Sequence, residues 1–341
     1  ELLLDQTDAS LEDKPLDDMD DLTSVREVQA AIARLKGPKV LQVLPALGPG
    51  GVERGTLDMA RYLIDQGWTP IVVSNGGEQE KDLLDIGAIS LNLPVHSKNP
   101  LTMHKNIKRL TQMIRNHDIQ LVHARSRAPA WSAFYAAKRA EVPFLTTFHS
   151  LYSGADNFLK RGYNAIMTRG DRVIAISDYV AEHVIKRYGV SGEHLRIIPR
   201  GVDLDEFDPE KVDDERIATL RDKWDLDPDK RIIMLPGRIS ERKGHTWLLK
   251  ALKKVWENGK ADDTVCVMVG NNGARGGYAN RVENMIIEQK LEKRVWLVGP
   301  CDDMPAAYAL ADTVIIPSTG PEAFGRISIE AQAMGKPVIA T

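Results

Sequence analysis

Two cysteines in 341 residues are too few for a disulfide scaffold, and Cys266 and Cys301 stand at no metal-ligand spacing. Both fall in or beside apolar runs, so buried thiols in a reducing compartment are expected. No apolar run approaches the roughly 20 residues that cross a bilayer. The first residues include Glu1, Asp5 and Asp8, where a secretory leader would be basic. A cytoplasmic location is therefore expected. An excess of charge is lacking too: 45 basic and 48 acidic side chains give a net −3, which offers nucleic acid no basic field. Nowhere does G-x-G-x-x-G follow a strand pattern, which argues against a dinucleotide oxidoreductase.

What remains is an apolar fraction of 43% in a chain long enough for two domains with separate cores. Before residue 38 the sequence is acidic and poor in aromatics, predicting a tail over 1–37 that leads into a short helix at 25–35. From residue 38 short apolar runs at 40–47, 70–73, 119–123, 144–148 and 173–176 alternate with amphipathic stretches such as 55–65, 103–116 and 131–139. The alternation lapses over 201–229 and resumes at 232–235, 265–269, 295–298, 314–316 and 337–341. This predicts an α/β protein with two Rossmann-like, doubly wound parallel-sheet domains at 38–200 and 230–341, joined by a connector. In such sheets ligands bind beyond the carboxyl ends of the strands, so a cleft between the domains is expected to hold the site.

Several segments after predicted strands carry chemistry. In the stretch 317–330, Pro317, Gly320 and Pro321 prevent regular structure before a helix expected at 327–334. Glu322 lies in that loop and Glu330 past the first helical turn, while free amides around Phe324 to Ile327, Gly325 among them, would attract a phosphate. A phosphate cradle between two carboxylates suits a ligand with both phosphate and hydroxyls; the alternative is a pair of surface acids near a helix start. After the first strand, Gly48, Gly50 and Gly51 let backbone approach a ligand, with Glu53 and Arg54 following. Arg238 and Lys243 straddle a turn before Gly244, where a guanidinium and an ammonium suit a diphosphate or stand as solvated bases. His149 and His123 each end an apolar run, and Arg125 and Arg127 suit an acidic ligand or a solvated surface.

Glu322 and Glu330 at E-x7-E spacing, followed by Ala331 to Ala340, resemble the signature of family 4 retaining glycosyltransferases of the GT-B fold. Further matches are the glycine loop at 50–54, G-R-x4-K-G at 237–244, P-x-x-x-T-x-H at 143–149 and I-P-x-G-V-D at 198–203 with F-x-P at 207–209. The resemblance runs from about Val40 to Thr341. Arg200 stands where the family has Asn, and the family pattern continues beyond Thr341, so the C-terminal domain is expected to be incomplete. The resemblance implies a transferase with Glu322, His149, Arg238 and Lys243 at the reacting centre. It implies a donor held by Gly50, Gly51, Arg238, Lys243, Glu322, Phe324, Gly325 and Glu330, with Glu53, Arg54, His123 and Arg125 on the acceptor side.

The co-substrate it implies is a nucleotide diphosphate sugar, with no separate cofactor and no metal. Asp203-Leu204-Asp205 and Asp225-Leu226-Asp227 mimic a metal-binding D-x-D but fall in the acidic connector, where Asp makes caps and turns. Two rivals share the architecture, a nucleotide-sugar 2-epimerase and a non-catalytic nucleotide-sugar-binding protein. The basic outer face of the stretch 104–115 would attract an anionic bilayer. That fits peripheral contact with the inner face of the plasma membrane and a lipid-linked or lipopolysaccharide-core acceptor, as in the bacterial envelope glycosyltransferases the sequence resembles.

Overall fold

The computed structural model describes residues 37–48, 50–152, 157–271 and 277–341. The acidic tail and short helix expected before residue 37 lie outside these residues. Contacts divide the chain into two compact units between Ile198 and Pro199.

In the first unit, strands β1 (Lys39–Val43), β2 (Thr69–Ser74), β3 (Ile89–Asn92), β4 (Leu121–Ala124), β5 (Phe144–Phe148), β6 (Arg172–Ala175) and β7 (Leu195–Ile197) pair in parallel. Their order is β3-β2-β1-β4-β5-β6-β7. Central strands are mostly apolar because helices cover both faces; β2 is buried at every residue. The helices are α1 (Gly51–Asp65), α2 (Glu80–Asp85), α3 (Pro100–Asn116), α4 (Arg127–Ala140), α5 (Phe158–Asn164) and α6 (Asp178–Tyr188). Asn99 starts α3 by accepting from the amides of Leu101 and Thr102, with Pro100 in the first position, where its missing N–H costs nothing.

Strand order reverses direction between β1 and β4, so the loops entering α1 and α4 flank the switch point where open α/β sheets bind ligands. Two expected boundaries are corrected there. The ladder of β1 ends at Val43 instead of residue 47, because Leu44 and Leu47 are buried in a loop bonded to Val73 and Gly76. Helix α1 begins at Gly51 instead of residue 55, since the first helical position tolerates glycine. Glu53 and Arg54 therefore stand on its first turn.

The second unit contains α7 (Asp214–Lys223), β8 (Arg231–Pro236), α8 (His245–Glu257), β9 (Thr264–Val269), α9 (Gly277–Glu288) and β10 (Val295–Gly299). It continues through α10 (Met304–Leu310), β11 (Thr313–Ile316), α11 (Arg326–Ala333) and β12 (Val338–Ala340), with parallel strand order β10-β9-β8-β11-β12. One face of this sheet packs Met234, Val267, Val314 and Tyr308. The other packs Leu235, Cys266, Met268 and Val282. Burial pushes the Cys266 thiol up to about 12, which makes it an apolar filler. Residues 201–229, expected as a connector, carry α7 and send Phe207, Leu220, Trp224 and Leu226 into this core. Asp203 Oδ1 accepts from the amides of Asp205 and Glu206, so the first D-x-D serves as a turn. No helix among the described residues is long and apolar enough to cross a membrane.

Candidate functional site

In the second unit the switch point lies between β8 and β11, and the loops leaving these strands carry Arg238 to Gly244 and Pro317 to Gly325. The two loops are bonded to each other. Thr319 donates its amide to the Arg242 carbonyl at 2.9 Å and its hydroxyl to the Glu241 carbonyl at 3.1 Å. Gly244 is packed so tightly that a Cβ there would overlap the Pro317 carbonyl oxygen, and its φ of +74° is left-handed. The close approach brings Lys243 and Glu322 together across 79 residues of chain: Lys243 Nζ donates to Glu322 Oε1 at 2.7 Å. Ser318 Oγ donates to the same oxygen at 2.7 Å, and Arg242 Nη1 lies 3.0 Å from Oε2.

Burial alone would raise the Glu322 pKa, but the Lys243, Ser318 and Arg242 contacts outweigh it and hold the carboxyl at about 2. A depressed carboxyl contributes stability above its ordinary value of 4.5 and loses it as pH falls from there towards 2. A linkage of about 3 kcal/mol is expected over that window. Urea midpoints measured between pH 6 and pH 3 should fall more steeply for the wild type than for Glu322→Gln, whose side chain has no proton to take up. Equal slopes would show that the carboxylate is not held this way.

Glu330 is fixed separately. Its Oε2 accepts from the Tyr308 hydroxyl at 3.0 Å and its Oε1 from Arg326 Nε at 3.2 Å, with both members of the ion pair 15% exposed. Burial and the Glu330 charge hold the Tyr308 phenol protonated, so it remains a donor. Gly325, at φ +86°, starts α11 with no side-chain cap. Phe324 is half-buried beside it. Arg238 is exposed and makes no ion pair among the described residues, so the structure does not join it to the Lys243–Glu322 group.

In the first unit, Gly50 and Gly51 are exposed at the start of α1, and Glu53 is half-buried on its first turn. Arg54 Nε lies 3.1 Å from Asp58 Oδ1. His149 is half-buried just past β5. His123 and Arg125, expected on the acceptor side, are buried, each 5% exposed. His123 Nε2 lies 2.8 Å from Thr147 Oγ1, and burial, then the Arg125 charge, lowers its pKa to about 3, so the imidazole stays neutral. Arg125 donates to Gln42 Oε1 at 3.0 Å, and Gln42 reaches the Thr56 carbonyl of α1, tying β4, β1 and α1 together beneath the switch point.

Arg242, Ser318, Tyr308 and Arg326 were not among the expected site residues. Arg326 carried a signal, standing four residues before Glu330 on one helical face. Tyr308 carried none, because Ala306 to Leu310 reads as an apolar core segment.

Residues 49–206 match the profile of Glycosyltransferase Family 4, and residues 216–341 match that of Glycosyl transferases group 1. A glycosyltransferase from Rickettsia africae is 39% identical and superposes with a TM-score of 0.80, over 89% of this chain and 79% of that one. The chain belongs to the GT-B glycosyltransferases. HepE of Anabaena, solved with UDP and glucose, shares this fold at 23% identity and a TM-score of 0.77, over 89% of this chain and 80% of its own. The D-inositol 3-phosphate glycosyltransferase of Xylanimonas cellulosilytica is 28% identical over 234 residues, which are 64% of this chain and 55% of that protein. The chain thus spans about half the length of the curated relatives it matches. In this GT-B chain, both glutamates of the E-x7-E signature are ion-paired and hydrogen-bonded, with cations within 3.2 Å of each.

Proposed function

We propose that this glycosyltransferase moves a sugar from a nucleotide diphosphate sugar to a hydroxyl acceptor, with the anomeric configuration retained. The observation that carries the reading is the ionised Glu322, bonded to Lys243 on the neighbouring loop beside the uncapped start of α11. The chemical difficulty is departure of a diphosphate from an oxocarbenium-like centre. Lys243 has three N–H donors and spends one on Glu322, which leaves two for phosphate oxygens. Together with Arg238 and the α11 amides it stabilises leaving-group charge, so the reaction is expected to proceed without a metal. Glu322 and His149 hold the sugar, Glu330 takes the nucleotide ribose hydroxyls, and Gly50 and Gly51 let backbone approach the donor. The departing phosphate takes the acceptor proton in a front-face substitution, so no side chain is assigned as general base.

Glu53 and Arg54 are offered to the acceptor, while burial makes His123 and Arg125 positioning groups for α1 and β4. The acceptor class proposed is a lipid-linked or lipopolysaccharide-core glycan. Supporting this, α3 presents exposed His104, Lys105, Lys108 and Arg115 while Ile107, Leu110 and Ile114 pack inward, a surface suited to anionic lipid at the inner face of the plasma membrane.

The test is nucleotide release from UDP-, GDP-, ADP- and dTDP-sugars in the presence of an envelope-lipid extract, with and without EDTA. Release from one donor, unchanged by EDTA, is expected. Failure to bind any donor would sink the reading. Glu330→Gln keeps the Tyr308 contact but loses the charge, and should raise the donor KM about tenfold with little change in kcat. An unchanged KM would remove Glu330 from the ribose site.

A further inference from the structure

His245 is the first residue of α8 and directly follows Gly244, which is wedged against Pro317. Its side chain is 0% exposed, and among the described residues neither Nδ1 nor Nε2 has a hydrogen-bond partner. Burial, the largest influence, lowers its pKa to about 4, so the ring is neutral and carries one N–H donor. A buried donor left open is costly, and an apolar residue would fill the same space without that cost. The surroundings of the ring give the donor a use. Lys243 donates its amide to the Ser240 carbonyl at 3.0 Å and Gly244 to the Glu241 carbonyl at 3.1 Å, closing the single turn that presents the Lys243 side chain. A carbonyl oxygen has two lone pairs, so that of Ser240 has one still to offer. It lies near enough to the His245 ring to raise its pKa, although the two are not aligned as a hydrogen bond. Tyr278 braces the ring edge-on, with centres 6.3 Å apart at 75°, and its hydroxyl accepts the Thr246 amide at 3.3 Å.

We infer that His245 is a positioning residue for Lys243: its ring N–H takes the second lone pair of the Ser240 carbonyl when the turn closes on the donor diphosphate, and so fixes where the Lys243 ammonium points. Hydrogen bonds in catalytic sites are often misaligned without substrate and tighten when it binds. The movement needed is small, because ring and carbonyl are already neighbours. Tyr278, tied to α8 through Thr246, limits the freedom of the ring, so the turn is the part that moves. The enclosed ring touches no substrate and acts only through Ser240 and Lys243. This role rests on the assignment of Lys243 to the leaving diphosphate.

Inorganic pyrophosphate, which imitates the donor diphosphate without base or sugar, tests the contact in the unaltered full chain. With the histidine nitrogens isotopically labelled, pyrophosphate should move the His245 N–H proton signal downfield and slow its exchange with water. Calorimetric binding of pyrophosphate with that signal unmoved would overturn the proposal. Substitutions supply the second arm, read as nucleotide release from the donor that the screen identifies. His245→Phe fills the space without a donor and should lower kcat about tenfold, with urea stability no lower than wild type. His245→Asn and His245→Gln place an N–H₂ where Nδ1 and Nε2 lie, and one of them should restore kcat to within about threefold. In a Lys243→Ala background His245→Phe should cost nothing more, because both act through one contact. An additive loss there, or rates that merely follow stability across the variants, would show a packing residue only. A rate lost in Lys243→Ala but kept in His245→Phe would overturn the proposal and leave the transferase reading standing. Failure of pyrophosphate to bind would remove the Lys243 assignment and the proposal with it.

Discussion

Lys243→Ala is expected to lower the rate of sugar transfer by roughly a hundredfold, equivalent to about 3 kcal/mol in the barrier. The side chain is 16% exposed and its ammonium sits 2.7 Å from Glu322, so water cannot replace it cheaply. Two losses coincide in this variant. The departing diphosphate loses a fixed positive charge, and Glu322 loses the first of the contacts that overcome its burial, so its pKa rises towards the ordinary range. Arg242→Ala supplies the contrast. Arg242 touches the same carboxylate at 3.0 Å, but its side chain is 51% exposed and solvent screens the pair. Its removal should change the rate by no more than about threefold. Steady-state kinetics on the cognate donor separate the two cases, and a Lys243→Ala rate within threefold of wild type would remove Lys243 from the leaving-group role.

Gly244→Ala should be the most damaging single methyl group in the second unit, with an expected loss of about 3 kcal/mol. A left-handed φ of +74° costs a residue with a Cβ about 1 kcal/mol. The larger cost is that the Cβ would overlap the Pro317 carbonyl, a backbone atom with no rotamer to escape into. The loop 317–325 must move, and with it the Ser318 and Glu322 contacts. Gly259 is the control, with φ +66° and nothing within 4 Å of an added Cβ. Gly259→Ala should cost only the backbone strain, about 1 kcal/mol. Urea unfolding followed by tryptophan fluorescence measures both. Equal losses would show that the β8 and β11 loops can separate freely, and that the Lys243–Glu322 bond does not depend on their contact.

Much of the sheet core was legible as sequence because its central strands are short, mostly apolar and β-branched segments. Residues 144–148 were expected and observed as a strand, and β9 and β11 differ from expectation by one residue at one end. The edge strands of the first sheet were not legible, whereas β10 and β12 at the edges of the second were expected and observed. β3 has no fully buried residue and β7 is buried only at Leu195, so neither carries the apolar run by which a central strand is recognised. Helix α7 escaped notice for a related reason: only Leu220 among its ten residues is buried, and its charges read as a solvated connector. At the site, Glu322, Glu330, Lys243 and the glycines stood out through their spacing to one another. Tyr308 and Ser318 did not, because a tyrosine in an alanine-rich helix and a serine after a strand carry no signal until a carboxylate is placed beside them.

The sequence by itself determined the alternation of strand and helix, the apolar identity of each central strand, and which loops carry charge and glycine. Those are local properties, set by residue volume, backbone preference and the period of apolar side chains. The tertiary structure alone decided which loops became neighbours. Lys243 and Glu322 meet because β8 pairs with β11 while β9 and β10 lie on its other side. Any parallel order of the same strands would satisfy the same local patterns. Pairing distant strands is settled by how the helices pack on both faces and by backbone hydrogen bonds between segments far apart in the chain, such as the one Gly299 accepts from Gly270. The same cause buried His123 and Arg125. Their residue types were plain in the sequence, but their surroundings came from elsewhere in the chain.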